Sequence, residues 1–310
     1  MDRLNSFSVI ISAYSIERLY DVLFCIDSLK KQTLLPKEII LVLEPDPYLI
    51  DFYKLRAPPE IKIIVSNGKG LSHARNTGVQ NSIGDFVAFI DDDAYADKEW
   101  LELLNINYSD PAVIGVGGFV KPLWEIQRPN WLPEEIDWTV GCSHKMLLKG
   151  RHPVRNPIGC NMSFRRMIFE KVGYFDSTIG RYGKQLLSGE EAFFSFRALA
   201  KIPNSTIMYD PRAVVFHKVS RKRASINYVL LRSFYEGYSK GLISKIELKN
   251  GDFLSSENNY LKALVSEFIP DKLKKFYRYQ SFLQLSTLFM STSFVFSGYV
   301  AGKFSGKTGT

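Results

Sequence analysis

Three consecutive carboxylates, Asp91-Asp92-Asp93, close a short apolar run, Asp85-Phe-Val-Ala-Phe-Ile90. Like charges this close repel one another unless a cation sits among them. Clustered oxygen donors suit Mg²⁺ or Mn²⁺, above all where phosphate oxygens share the ion. The plainer reading is a capping cluster ahead of Trp100-Leu-Glu-Leu-Leu104, although Asp97 already offers a cap there. Upstream lies Gly68-Lys-Gly-Leu-Ser-His-Ala-Arg-Asn-Thr-Gly78. Its glycines let a ligand approach the backbone, Ser72 can cap the helix that follows, and Arg75 can fork onto phosphate or steady an acidic neighbour. Taken alone, the segment is equally an ordinary solvent-facing helix start. A second acidic pair, Glu190-Glu191, opens a helical pattern in Leu187-Ser-Gly-Glu-Glu-Ala192, with Arg197 on the same helix. A general base needs a carboxylate held near the proton it removes. The helix dipole favours carboxylates at that place for purely structural reasons as well. His217 follows an apolar strand, Val214-Val-Phe216, where a lone histidine is either structural or functional; Arg221-Lys-Arg223 either holds phosphate or is a solvated turn.

The elements that must position these groups alternate. Phe7–Ala13 is a β-rich run, followed by Leu19, Val22, Leu23, Ile26 and Leu29 at helical spacing, closed by Lys30, Lys31 and Pro36. Glu38–Leu43 and Ile61–Val65 read as short strands, Gly70–Ser82 as a helix and Asp85–Ile90 as a further strand. Continuous apolar strands alternating with helices predict an α/β fold, a Rossmann-like, mostly parallel sheet with helices on both faces. Ligands of such sheets bind beyond the carboxyl ends of the strands, where the three aspartates fall. Residues 116–224, rich in Gly, Pro and Trp, read largely as loops around a site, with helical signals at Arg166–Gly173 and Glu190–Ala200. From 225 to 310 the chain reads as helical and basic. The expected division is 1–115 and 116–224, two halves of one domain, and 225–310, a basic helical C-terminal region.

In order and separation, Gly70-Leu-Ser-x-Ala-Arg-Asn-x-Gly78, Gly84-Asp-Phe-Val-Ala-Phe-Ile-Asp-Asp-Asp93 and Gly189-Glu-Glu191 resemble the family 2 glycosyltransferases, which have the GT-A fold. Ser12-Ala-Tyr14 after the first strand, and Ser28-Leu29 with Gln32, fit the same pattern, so the resemblance spans about residues 5 to 220. It implies that Asp91 and Asp93 are the outer members of a D-x-D motif. Asp93 would ligate a metal bridging the donor's diphosphate, with His217 near the metal, and Asp91 would touch ribose or a metal-bound water. Ala13, Tyr14, Glu44, Gly70 and Asp92 would line the nucleotide-sugar site, although many relatives carry Asp where this chain has Glu44. Arg75 would steady the Asp cluster or the diphosphate. The base would be Glu191, or failing that Glu190, where the family usually ends the motif in Asp. The implied reaction is a one-step inverting transfer of a hexose or uronic acid from a nucleoside-diphosphate sugar, of which a UDP-sugar fits best, to a hydroxyl acceptor.

The segment Asn130-Trp-Leu-Pro-Glu-Glu-Ile-Asp-Trp-Thr-Val-Gly-Cys142 is unusually aromatic. Trp131 and Trp138 provide either a stacking wall for a sugar, a lipid-facing lip or core packing. Together with Arg221, Arg223 and Tyr235-Glu-Gly-Tyr-Ser-Lys240, this stretch is similar to members that extend lipid-linked glycans, such as archaeal-type glucuronosyltransferases acting on dolichyl-phosphate-linked sugar. Gly159 joins these as an acceptor-side candidate. Between Arg278 and Lys303 there is no charge. Residues 279–302 are long enough to span a bilayer but rich in hydroxyls, so a helix packed on the protein, one lying in the membrane interface and a true span all stay open. Lys272, Lys274, Lys275 and Arg278 just upstream would suit an anionic leaflet.

The remaining composition narrows the classes. The 310 residues carry a net charge of +8 and are 45% hydrophobic, the balance of a packed protein with an anionic partner. Three scattered cysteines argue against a disulfide framework or a cysteine zinc site. The first apolar run is too short for a signal peptide, which suggests a cytoplasmic protein at the inner face of the membrane. Basic residues are not interleaved with exposed aromatics on a recognised module, so nucleic acid is not expected. Ala301-Gly-Lys-Phe-Ser-Gly-Lys-Thr308 mimics a phosphate loop, but only two residues follow where a helix is needed. Two rival classes are a sugar-nucleotide pyrophosphorylase, disfavoured because Ser12–Ile16 has no glycine, and a non-catalytic membrane-associated binding protein, disfavoured by the intact acidic motifs.

Overall fold

A computed structural model describes residues 6–148, 150–178, 187–245 and 255–305. In chain order the elements are β1 (Phe7–Ala13), α1 (Leu19–Lys30), β2 (Glu38–Leu43), α2 (Pro47–Lys54), β3 (Lys62–Val65), α3 (Leu71–Gln80), β4 (Phe86–Asp91) and β5 (Ala94–Ala96). There follow α4 (Trp100–Asn107), β6 (Val113–Trp124), β7 (His152–Val154), β8 (Met162–Arg165), α5 (Arg166–Val172), α6 (Glu190–Lys201) and β9 (Thr206–Val219). The C-terminal region holds α7 (Ile226–Ile243), α8 (Ser255–Ala263), α9 (Ile269–Lys274) and α10 (Tyr279–Phe304). The end of the Ala301–Thr308 run lies outside the described residues.

One sheet runs β3-β2-β1-β4-β8-β6-β9-β5, with β7 on β9. From β3 to β4 the pairing is parallel, with Ile11 opposite both Leu41 and Ile90. β1, β2 and β4 are buried along nearly their whole length because helices cover both faces, whereas β3 at the edge is only partly covered. Beyond β4 the sheet turns antiparallel, through β4–β8, β6–β8, β5–β9 and β7–β9. A stacked and edge-on aromatic cluster, Phe89, Phe164, Phe169, Phe175 and Phe194, fills the core between β4, β8 and helices α5 and α6.

Three local expectations are corrected. The middle of the chain, read as loops, contains the two longest strands, β6 and β9. Gly115, Gly117 and Gly118 break the alternation of β6, and Gly118 is needed because a Cβ there would lie 1.9 Å from the Ala213 carbonyl oxygen. Ser72 does not cap α3: the N-cap is Gly70, at φ 106°, and Ser72 is buried inside the first turn. Nor is Asp97 the cap of α4, where Glu99 holds that position and the Asp97 backbone oxygen accepts from Trp100 N at 3.1 Å.

Two compact units divide the chain. One contains the residues to Lys121, 148–178 and Glu190–Lys218; the other contains Pro122–Leu147, 187–189 and Val219 onward. In the second, α7 and α10 form a close parallel pair, Ser233 meeting Ser291 through their hydroxyls at 2.8 Å and Gly241 meeting Gly302 further along. Among the described residues no helix is long and apolar enough to cross a membrane.

Candidate active site

The first unit gathers most of the acidic and basic candidates at the carboxyl ends of β1, β2 and β4. Ser12 pairs with Asp91 in the β1–β4 register, so Ala13 and Tyr14 follow beside the aspartates. Glu44 N donates to the Ala13 oxygen at 3.2 Å, and the Glu44 carboxylate accepts from Gly70 N at 3.0 Å. Four of the nucleotide-side candidates, Ala13, Tyr14, Glu44 and Gly70, therefore share one strand-end region. The Asp91–Asp93 turn leads into β5, which pairs with β9 so that Ala94 faces His217. Lys218 N donates to the Asp93 oxygen at 2.9 Å, and this ladder holds His217 against the acidic turn.

His217 is buried, with Nε2 at 3.4 Å from Asp93 Oδ1 and 4.0 Å from Asp91 Oδ2. The Asp91 side chain keeps about a third of its surface exposed (33%), whereas Asp92 and Asp93 are largely enclosed. Arg18 bridges those two, with Nη1 at 2.8 Å from Asp92 Oδ1 and 2.6 Å from Asp93 Oδ2. Burial alone would lower the Arg18 pKa; the neighbouring Asp92 and Asp93 charges outweigh it and hold the guanidinium above its ordinary value. Asp93 thus presents one oxygen to Arg18 and the other to His217.

Arg75 is the second cation. From the first turns of α3 it reaches Glu190 Oε1 at 2.9 Å, Asp91 Oδ1 at 3.5 Å and the Gly159 carbonyl oxygen at 3.0 Å, all while buried. Gly159 is close enough that a Cβ would lie 2.8 Å from Arg75 Nη2. Glu190 is buried in this ion pair; Glu191, the next residue on α6, is half-buried. Among the described residues, these ion pairs set four carboxylates (Asp91, Asp92, Asp93 and Glu190) against two guanidinium groups. The buried Cys25 thiol registers that field: burial first, and then Asp92, Asp91 and Asp93, push its pKa well up.

The donor set fits a divalent ion. Asp91, Cys160 and His217 each offer a ligand atom, all within 4.8 Å of one another, and Asp93 Oδ1 borders them. Two carboxylate oxygens and an imidazole nitrogen suit Mn²⁺ or Mg²⁺. Arg18 and Cys160 were not legible as site residues. Arg18 sits in an unremarkable turn after Ser15-Ile-Glu17, and Cys160 lacks a second cysteine at ligand spacing.

The acceptor-side candidates other than Gly159 lie in the second unit. Trp131 and Trp138 are half-buried, and Trp138 Nε1 donates to the Tyr260 hydroxyl at 3.1 Å. Arg221 is exposed, its backbone N donating to Glu125 at 3.0 Å, and Arg223 donates to the Val140 oxygen at 3.3 Å.

The glycosyl transferase family 2 model matches residues 8–173, which include the Gly70–Gly78 segment and the three aspartates. The chain belongs to glycosyl transferase family 2. Over 302 residues, 95% of both chains, it is 32% identical to the glucosyl-dolichyl phosphate glucuronosyltransferase of Haloferax volcanii. Among solved structures it resembles the mannosyltransferase PcManGT of Pyrobaculum calidifontis in complex with GDP-Man and Mn²⁺. There the TM-score is 0.63 at 14% identity, over 99% of this chain and 89% of that one. It also resembles GalNAc-T7 with UDP, GalNAc and Mn²⁺, at a TM-score of 0.52 and 18% identity. That match covers 87% of this chain but only 58% of the other. The fold is of the GT-A type, and this family 2 protein is a glycosyltransferase.

Proposed function

We propose that this glycosyltransferase is inverting and metal-dependent, and that it moves a sugar from a UDP-sugar to a hydroxyl of a lipid-linked glycan at the cytoplasmic face of the membrane. The observation that carries the metal dependence is the acidic turn set against His217, whose Nε2 lies 3.4 Å from Asp93 Oδ1 and 4.0 Å from Asp91 Oδ2, with Cys160 close to Asp91 and His217. Asp91, Asp93 and His217 would hold Mn²⁺ or Mg²⁺, which when bound neutralises charge on the departing nucleoside diphosphate. The lipid-linked acceptor is supported by the Haloferax volcanii relative, whose name specifies a dolichyl phosphate-linked sugar, matched along nearly its full length.

The chain's own residues divide the remaining work. Tyr14, Glu44 and Gly70 bind the nucleotide end of the donor. Glu191 takes the acceptor hydroxyl's proton while that oxygen bonds to the anomeric carbon and the bond to the diphosphate breaks. The proton ends on Glu191 and the electron pair on the diphosphate, with no covalent sugar–enzyme intermediate. Glu190 is better suited to positioning, because its charge is committed to Arg75. Arg75 orients Asp91, and Gly159 supports Arg75 through its carbonyl. Trp131 and Trp138 are assigned to stacking on the acceptor sugar, and Arg221 and Arg223 to its phosphate.

Calorimetric titration with UDP, with and without Mn²⁺, tests the reading. Binding should tighten at least about tenfold with the ion and lose that gain in Asp93→Asn. Affinity indifferent to Mn²⁺ in the unaltered protein would sink it.

A further inference from the structure

The second unit presents an aromatic surface that the reaction does not use. Along α10, Phe282, Phe289, Phe296, Val300 and Phe304 are exposed, Phe296 at 69% and Phe304 at 79%. Their spacings of seven, seven, four and four residues place them on one stripe of the helix. The opposite stripe carries Ser291, Gly298 and Gly302 and is buried against α7. That contact is as close as two backbones allow. A Cβ at Gly237 would lie 1.9 Å from the Val295 oxygen, and one at Gly298 would lie 2.0 Å from the Phe234 oxygen. Gly237/Gly241 on α7 and Gly298/Gly302 on α10 form two facing small-xxx-small pairs, the device that packs helices tightly where water is scarce. α10 cannot rotate its phenylalanines inward without breaking this seam, so the aromatic stripe stays outward.

Four of the seven serine and threonine hydroxyls between Arg278 and Lys303 are bonded within α10 or to α7. Thr287, Thr292 and Ser297 each donate at 2.9 Å to the backbone oxygen four residues earlier, and Ser291 bonds Ser233. Burying this face in an apolar medium therefore strands none of these groups. At the N-terminal end of the stripe, Lys274, Lys275 and Arg278 are exposed in a run with Phe276, Tyr277 (79%) and Tyr279 (75%). Cations interleaved with amphipathic aromatics match the headgroup level of an anionic bilayer.

We infer that this face is a membrane-docking surface for an anionic phospholipid bilayer. The α10 stripe lies along the acyl boundary and the 274–279 run sits among the headgroups. The helix lies on the membrane and does not span it, in keeping with its hydropathy. This inference is independent of the metal and the reaction.

Vesicle flotation of the whole protein tests it without donor or acceptor. Vesicles of phosphatidylcholine mixed with phosphatidylglycerol should capture at least about ten times more protein than phosphatidylcholine alone, and high salt should erase the difference. Lys274→Glu with Arg278→Glu should lose the preference for anionic vesicles. Phe289→Ser with Phe296→Ser should lose capture by both kinds. All four side chains are exposed, so both variants should melt with the parent. Failure to float, or equal capture by neutral and anionic vesicles, would overturn the inference. So would a dimer in water that Phe289→Ser with Phe296→Ser dissolves in a protein that does not float, because a second copy would then be the occupant.

Discussion

The two units treat buried charge in opposite ways. In the first, four carboxylates meet two guanidinium groups around Asp91–Asp93 among the described residues. In the second, Glu236 sits between Arg232 at 2.9 Å and Lys240 at 3.1 Å and accepts from the Ser188 hydroxyl at 2.9 Å. Burial would raise the Glu236 carboxyl, but the two cations and the hydroxyl overcome it and hold it far below the usual range. One acid against two bases one helical turn to either side is a closed arrangement that fastens residues 187–189 to α7. Among the described residues, the ion pairs of the first cluster set four acids against two bases. A folded chain tolerates such a deficit where a ligand completes the balance, and this difference separates a site from a staple.

The largest test is to break the site without touching its charge balance at the ion pair. Glu191→Gln should slow transfer by about 10²–10⁴-fold while leaving calorimetric UDP–Mn²⁺ affinity nearly unchanged. Turnover like the parent's would move the base elsewhere. The next test sharpens the distinction between the adjacent acids. Arg75→Ala strands Glu190 in a buried setting, which costs about 3–5 kcal/mol of unfolding free energy, measured by urea denaturation. Arg75→Met combined with Glu190→Gln should recover most of that loss, because the enclosed Glu190 charge goes with its partner and the Asp91 carboxylate that also loses Arg75 is a third exposed to water. If the double variant is as unstable as Arg75→Ala, the pair is not what holds α3 to α6.

The legible parts of this protein are those where chemistry is written in adjacent residues. Asp91-Asp92-Asp93, Gly189-Glu-Glu191 and the β1, β2 and β4 runs are contiguous, and strand burial on both faces leaves unbroken apolar stretches. Arg18, Cys160 and the strands β6 and β9 resisted reading for a shared reason: each acquires its role from a partner distant in the chain. Arg18 meets Asp92 and Asp93 across 74 and 75 positions, and nothing beside it announces that meeting. Gly118 interrupts the pattern of β6 because the Ala213 backbone lies against it. Thr287, Thr292 and Ser297 of α10 misled in the other direction, since their polarity is absorbed by the helix's own carbonyls.

The smallest effect separates the second unit's stability from the first unit's chemistry. Burial drives the His144 pKa down to about 4, with Tyr260 edge-on to its ring at 5.0 Å. The unfolded imidazole titrates near its ordinary 6.5, so between about pH 6.5 and pH 4 the unfolded chain binds the extra proton. Stability is therefore complete above pH 6.5 and falls as the pH drops toward 4, by about 1–2 kcal/mol at pH 5. His144→Phe keeps the ring against Tyr260 and removes the titration. Urea midpoints at pH 7 and pH 5 should consequently draw closer together in the variant than in the parent. Glu191→Gln, by contrast, should leave this slope unchanged. An equal pH slope in both proteins would mean that His144 is already solvated in the folded state.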